Sequence, residues 1–381
     1  MKVSDIRSGK KTDAFSALST FNYVLNLFGL SCIYRDGKNL KLSKSIRKIL
    51  ILVTFFLLIN IYAAYDKLLS VNSLNFDFED YYQLGFLLGY LQYIIDIFLV
   101  YKYRRLRVHY FSVYEIIDQI LGISHYETIA KNVRNICICF SIVISINIAI
   151  DYISYAMSFG WTISLIFSID YVYLGLRLLV DIDLISNFIQ VKYRVKTVGD
   201  LLEGFYCDAD TPDVIEDLTF GKIWISSKDN KLKLSNIKSI NSNKHNIVLW
   251  LSRCYLFLNE QCEYINTMYG FRGITYNSSD LSVLSTLLRA TIETLTLLHG
   301  LYHCDHTYRE VKRIIQIIDD LVVNKKTTKE IRESLKKMKN LIISKPINYH
   351  ALNFYSLDNS TLVSMAGTMV TYTIILLQNM Q

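Results

Sequence analysis

Residues 136–150 read ICICFSIVISINIAI, fifteen consecutive positions without a charge or a proline. A helix of this composition has no polar face to offer water, so its side chains belong in lipid or in a large core. Residues 49–64 (ILILVTFFLLINIYAA) are equally free of charge. Residues 81–101 carry one acid, Asp96, and 157–180 are broken by Asp170 and Arg177. Residues 281–302 carry Arg289 and Glu293, and 352–380 carry Asp358. Crossing a hydrocarbon layer about 30 Å thick takes about 20 helical residues. Core strands of four to eight residues would need turn signals between them, and these stretches have none. The composition agrees: 51% hydrophobic, 20% charged, two prolines and a mean hydropathy of +0.25 over 381 residues. Six spans are plain. The first apolar stretch, 15–34, has polar interruptions and is expected to be a re-entrant or interfacial helix.

Charge orients the spans. Residues 35–48 hold six basic residues against one acid, and Lys102, Arg104, Arg105 and Arg107 follow the second span. Residues 325–339 hold seven basic residues and two acids, whereas 66–80 hold four acids and Lys67. The positive-inside bias places the N-terminus and the loops at 102–131, 190–265 and 303–350 in the cytoplasm. Two cytoplasmic segments must be joined by an even number of crossings. The polar region around 264–276 is therefore expected to supply a weak fifth span, making seven.

The expected fold is an all-α membrane protein with seven transmembrane helices, a cytoplasmic N-terminus, an extracellular C-terminus and cytoplasmic helical extensions. Its segments are a cytoplasmic 1–47, spans one to four within 48–190 with the 102–131 connection, and a cytoplasmic helical 191–265. That last segment has a flexible insertion near 208–243. Spans five and six fall in 266–303, a cytoplasmic linker in 304–350 and the last span in 351–381. The formal charge of +7 is a cytoplasmic collar on a multi-pass protein of the cell membrane, with membrane lipid and not nucleic acid as its partner.

Enzyme chemistry finds no support. There is no nucleotide loop, catalytic dyad or paired-carboxylate pattern, and no cofactor is expected. His303-Cys304-Asp305-His306 has metal-binding composition, but adjacent residues on one helix diverge, so no metal is expected. The seven cysteines are expected as reduced thiols. Asn277-Ser278-Ser279 is a glycosylation sequon on the extracellular side of this topology, and Asn359-Ser360-Thr361 would face the cytoplasm.

The last span, from Leu362, reads LVSMAGTMVTYTIILLQNMQ. Ser364, Thr371 and Gln378 recur every seven positions, with Thr368 and Ile375 between them on one face. Such a stripe lines a water-filled path when several subunits surround an axis. It serves equally as hydrogen-bonding glue between helices of one subunit.

Thr371-Tyr372, five residues, then Gln378 resembles the C-terminal signature of the insect gustatory receptor family: Thr-Tyr, five mainly apolar residues, Gln, Phe. Gly29-Leu30 ahead of a basic patch, the long connection between the fourth and fifth spans, and Cys304 followed by Glu310 fit the same family. Asn379 in place of Phe, and the hydroxyl of Thr373, mark a divergent member. The resemblance implies a seven-span chemosensory receptor that is a ligand-gated non-selective cation channel. It implies a homotetramer, or a heteromer with related receptors, with permeant cations and a small-molecule ligand as partners. The last span of each subunit would line the pore, with Gln378 towards its outer end and Thr371-Tyr372 deeper. Ile375 is then the candidate apolar constriction. A seven-span receptor signalling through an intracellular partner, and a membrane transporter, are the alternatives. Ligand-pocket candidates, chosen as aromatic or charged residues of the outer halves of the spans, are Phe86, Tyr90, Asp151, Tyr155, Trp161 and Arg289. Interfacial anchoring is the alternative for Tyr155 and Trp161, and pairing with Glu293 for Arg289. Arg177 and Asp181, four apart, are expected to pair.

Overall fold

Two opposite packing rules divide the helices of the computed structural model. It describes residues 14–36, 39–42, 46–70, 79–122, 125–159, 161–207, 224–226, 232–234, 244–269, 283–323, 327–351 and 355–358, with 360, 361, 363, 364, 367 and 371 of the last segment. Short helices α1 (Ala14–Ala17) and α2 (Ser19–Leu27) lead into a hairpin, β1 (Ile33–Asp36) with β2 (Asn39–Leu42), in which Ile33 faces Leu42. Long helices follow: α3 (Ile46–Ser70), α4 (Glu79–Lys102), α5 (Arg104–Leu121), α6 (Tyr126–Phe159) and α7 (Trp161–Cys207). A small hairpin, β3 (Trp224–Ser226) with β4 (Leu232–Leu234), precedes α8 (Lys244–Tyr269), α9 (Val283–Val323) and α10 (Lys329–Ser344). A third hairpin, β5 (His350–Ala351) with β6 (Tyr355–Ser356), stands before the last helical segment.

In one set the apolar residues point outward. On α3, Leu50, Ile51, Phe55, Leu58, Ile61 and Tyr62 are exposed while Phe56 is buried. On α6, Ile138, Ile142, Ile146 and Ile153 are exposed. Water would penalise such a surface by roughly 25 cal/mol per Å², and lipid removes the penalty. Tyr126–Ile150 is the one helical stretch, among the described residues, long and apolar enough to cross a membrane by length and composition alone, with a mean hydropathy of 2.0.

In the other set the apolar face is turned inward. On α5 the buried residues Arg107, Tyr110, Phe111, Val113, Tyr114, Ile117, Ile120 and Leu121 form one helical face. On α10 they are Ser334, Leu335, Met338 and Ile342, among exposed lysines and glutamates. These helices obey the amphipathic rule of a water-facing domain. Their core includes the fully buried Tyr110, Tyr114, Tyr255, Tyr349 and Phe188.

α7 and α9 belong to both sets. At 1.5 Å per residue their 47 and 41 residues reach about 70 and 62 Å. That exceeds the roughly 40–45 Å of a whole bilayer. The compositional boundaries expected at 190/191 and 303/304 therefore fall inside unbroken helices. The two run parallel, tied by Arg177 to Glu293 at 3.1 Å and, lower down, by Arg313 to Asp200 and Glu203. The expected stretch 15–34 contains no helix longer than the nine residues of α2. Gly29, at φ +74°, ends α2, and the backbone N–H of Leu30 returns to the Leu25 carbonyl (2.8 Å). The Leu30 side chain is thereby buried beneath the helix.

The weak fifth span retains its oddity. α8 ends at Tyr269 and α9 begins at Val283. The intervening 270–282 lie outside the described residues, as does Asn277. Thirteen helical residues would cover about 20 Å, so that polar stretch cannot cross the bilayer as a helix without help from the top of α8.

Candidate functional site: the last helix, its entrance and the inward faces of the spans

The last helix is set up by a carboxylate. Asp358 Oδ1 accepts the backbone N–H groups of Ser360 (3.0 Å) and Thr361 (3.1 Å), the arrangement of a helix N-cap. Its Oδ2 accepts the Ser356 hydroxyl at 2.8 Å. The helix thus begins at Ser360, inside the 351–381 segment expected to be one span, because β5 and β6 occupy the earlier residues. Residues 360–381 number 22, a length that as a helix would span about 33 Å, enough to cross.

Of the polar stripe, Ser364 and Thr371 are helical and exposed. The Thr371 hydroxyl donates to the Gly367 carbonyl one turn below (2.8 Å), leaving its oxygen lone pairs facing outward. Thr368, Tyr372, Ile375 and Gln378 lie outside the described residues.

The entrance to this helix is fastened to the inward-packed domain. After α10 ends at Ser344, Pro346 interrupts the chain and residues 345–350 pass beneath α8 and α9. The Tyr255 hydroxyl donates to the Lys345 carbonyl (3.1 Å) and accepts the Ile347 N–H (3.3 Å). Asn266 holds both sides of the strand, donating to the Asn348 carbonyl and accepting the His350 N–H, each at 2.9 Å. The Tyr349 N–H donates to the Tyr308 hydroxyl at 2.9 Å. The segment that leads into the last helix is therefore hydrogen-bonded directly to α8 and α9. Sequence reading missed Tyr255, Asn266 and Tyr308, since nothing local marks a side chain that serves a segment more than 40 residues away.

A second fastening lies where the two packing regimes meet. Arg107 of α5 reaches Asp183 of α7 at 2.8 Å, and both are almost wholly buried. The Tyr269 hydroxyl, at the end of α8, donates to the other carboxylate oxygen at 2.5 Å. Burial alone would lower the Arg107 pKa, but the Asp183 carboxylate, with Tyr269 and Tyr264, outweighs it and raises it. Deeper in the inward-packed domain, Arg194 grips Asp118 through two nitrogens (2.8 and 2.7 Å) and lies over the Tyr114 ring.

The pocket candidates divide. Tyr90 is buried, and its hydroxyl donates to the Val53 carbonyl (3.3 Å), tying α4 to α3. It stands beside an aromatic group that the sequence did not reveal. Phe56 packs against Tyr93 (5.1 Å) and Tyr173 (5.9 Å), and Tyr173 presses on Gly89 closely enough that a Cβ there would sit at 3.2 Å. Phe86, Asp151, Tyr155, Trp161 and Arg289 are helical, but their side chains lie outside the description. Asp151 and Tyr155 occupy one face of α6, with Asn147 a turn below. Asn147 is fully buried, and neither its amide nitrogen nor its oxygen has a hydrogen-bond partner. An unsatisfied buried amide costs roughly 1–3 kcal/mol, so it marks a place where a ligand or water can repay a debt. Its signal in the sequence was a lone polar residue one turn before Asp151. Glu293 pairs with Arg177 across helices, a partnership that spacing along either helix could not show.

Comparisons with known proteins fit this architecture. The C-terminal segment, residues 237–379, matches the family profile "7tm Chemosensory receptor". The insect olfactory receptor OR5 from Machilis hrabei superposes over 95% of this chain and 97% of its own, with a TM-score of 0.63 at 12% identity. The same receptor in complex with eugenol covers 96% of this chain and 98% of its own, with a TM-score of 0.54 at 10% identity. No curated protein sequence matches. The fold is that of the seven-transmembrane insect olfactory receptors. The family match covers residues 237–379, the part of the chain that includes the polar stripe of the last helix.

Proposed function

We propose that this chain is the subunit of a ligand-gated, non-selective cation channel that serves as a taste-type receptor for a small molecule at the cell membrane. The carrying observation is the sequence Thr371-Tyr372, five residues, Gln378, set within the family-matched segment and at the end of a helix long enough to span. Four copies around an axis would bring Ser364, Thr368, Thr371, Ile375 and Gln378 to a central pore, Ile375 closing it by dewetting. The N-terminus faces the cytoplasm, the C-terminus faces outward, and Asn277 is the glycosylation site of the outer surface. The complex of the Machilis receptor with eugenol supports a small organic ligand. For this chain the pocket is the face of α6 that carries Asn147, Asp151 and Tyr155, together with Phe86, Tyr90, Trp161 and Arg289. Ligand binding there shifts α7 and α9. Because residues 345–350 are hydrogen-bonded to α8 and α9, the shift reaches the last helix.

Expression of the chain alone, with patch recording during application of a panel of sugars, bitter compounds and volatiles, tests this reading. Gln378→Ala should change conductance or ion selectivity while surface tetramers persist. Loss of the tetramers in that variant would assign the polar stripe to helix–helix bonding within the subunit.

A further inference from the structure

Lys192 presents an unbalanced charge. It lies between α7 and α9, only 9% exposed, and makes no ion pair among the described residues. Its ammonium donates to Nδ1 of His303 (3.4 Å) and stands 5.3 and 5.5 Å from the rings of Tyr193 and Tyr302. Because Nδ1 accepts, the neutral His303 ring carries its proton on Nε2 and donates it to His299 Nε2, 3.3 Å away. The result is a row of nitrogens, Lys192, His303 and His299, with no anion bonded to it among the described residues. Glu310, the acid whose field reaches Lys192, is bonded to Arg313 at 2.8 Å. A buried ammonium without a counter-charge is costly, and its pKa is lowered, first by burial and then by Lys196.

The depth of this row is fixed independently. Asn132 of α6 donates to the Tyr193 hydroxyl (3.0 Å), so Lys192 is level with the basic start of α6, Lys131 and Arg134. The uncharged run of α6 begins one turn higher, at Ile136. Lys192 therefore stands at the cytoplasmic headgroup layer in the positive-inside orientation. Along α9 the neighbouring surface is apolar: Leu295, Leu298 and Tyr302 are 48%, 37% and 58% exposed. A soluble anion would have no use for that apolar margin, whereas an acyl chain would lie along it.

We infer that Lys192, with His299 and with His303 holding the two in line, binds the phosphate of an anionic phospholipid of the inner leaflet, its acyl chain lying on Leu295, Leu298 and Tyr302. The headgroup supplies the missing counter-charge and bridges α7 to α9 above the Arg313 clamp.

The full chain, purified in detergent, is titrated with dioleoyl phosphatidic acid and, separately, with dioleoyl phosphatidylcholine, and bound lipid is counted by native mass spectrometry. Wild type should retain phosphatidic acid in preference to phosphatidylcholine. Lys192→Met should weaken phosphatidic acid by about fivefold or more, and Lys192→Arg should keep it. If Lys192→Met does not fold, His299→Gln, at the half-exposed end of the row, should still weaken binding. Wild-type retention in the variant that folds overturns the site. Displacement of the lipid by millimolar glycerol 3-phosphate overturns the lipid assignment in favour of a soluble phosphate. The measurement needs no current, so its failure is separable from failure of the channel reading.

Discussion

At the residue scale the junction of Arg107, Asp183 and Tyr269 shows why a few buried polar groups matter in a chain this apolar. Each group satisfies another: Arg107 meets Asp183 at 2.8 Å, and Tyr269 caps the second carboxylate oxygen. Asp183→Asn would leave the guanidinium buried without its charge partner, and loss of one member of a buried pair costs roughly 3–5 kcal/mol. Fluorescence-detected thermal melting should show that loss, and replacing both residues with apolar ones of similar size should restore much of it. The thiols give a second prediction. Burial pushes Cys254 and Cys262 up to about 12 and raises Cys304 well above the ordinary thiol value. Maleimide at pH 8 should leave all three unmodified in the folded protein and label them after denaturation. His125 gives a third, concerning pH. Its pKa is lowered by burial and then by Arg194, so the folded state prefers the neutral ring. Its contribution is present above an unfolded pKa of about 6.5 and is lost as pH falls below it. Thermal stability should therefore fall between pH 7.5 and 5.5, less so in His125→Gln.

At the scale of the elements, the spans that lack charge were legible and the joints between them were not. α3 and α6 announced themselves because lipid selects composition without regard to partners. No helix break marks the bilayer boundary expected at 190, because a helix leaving the bilayer has no reason to break, and α7 carries its hydrogen-bond ladder on to Cys207. Asp181 was expected to serve Arg177 from the next turn of the same helix. To that expectation the geometry adds a partner for Arg177 on α9, Glu293, 116 positions away, a relation that only the folded chain creates. Single reversals, Arg177→Glu or Glu293→Arg, should lower surface expression, and the double reversal should recover it. The hairpin of β5 and β6 was also hidden, because Asp358 is the one charge in the apolar stretch 352–380. Asp358 is the cap that starts the helix.

At the scale of the whole molecule, the two packing regimes define a membrane half with apolar residues outward and a water-facing half with apolar residues inward. Orientation follows from placing the basic collar inside, so an epitope at Met1 should be inaccessible to antibody until the cell is permeabilised. The two halves are joined by α7, α9 and the tethered 345–350 segment. Removing one tether with Asn266→Ala should leave ligand binding intact while weakening the current it evokes. The central claim is that the polar stripe of the last helix faces a conducting pore, and substituted-cysteine accessibility at Thr371 tests it most directly. In Thr371→Cys channels, a positively charged methanethiosulfonate reagent applied from outside should irreversibly block ligand-evoked cation current. Met365→Cys, off the stripe, should be spared. Block at Met365→Cys with Thr371→Cys untouched would contradict the account.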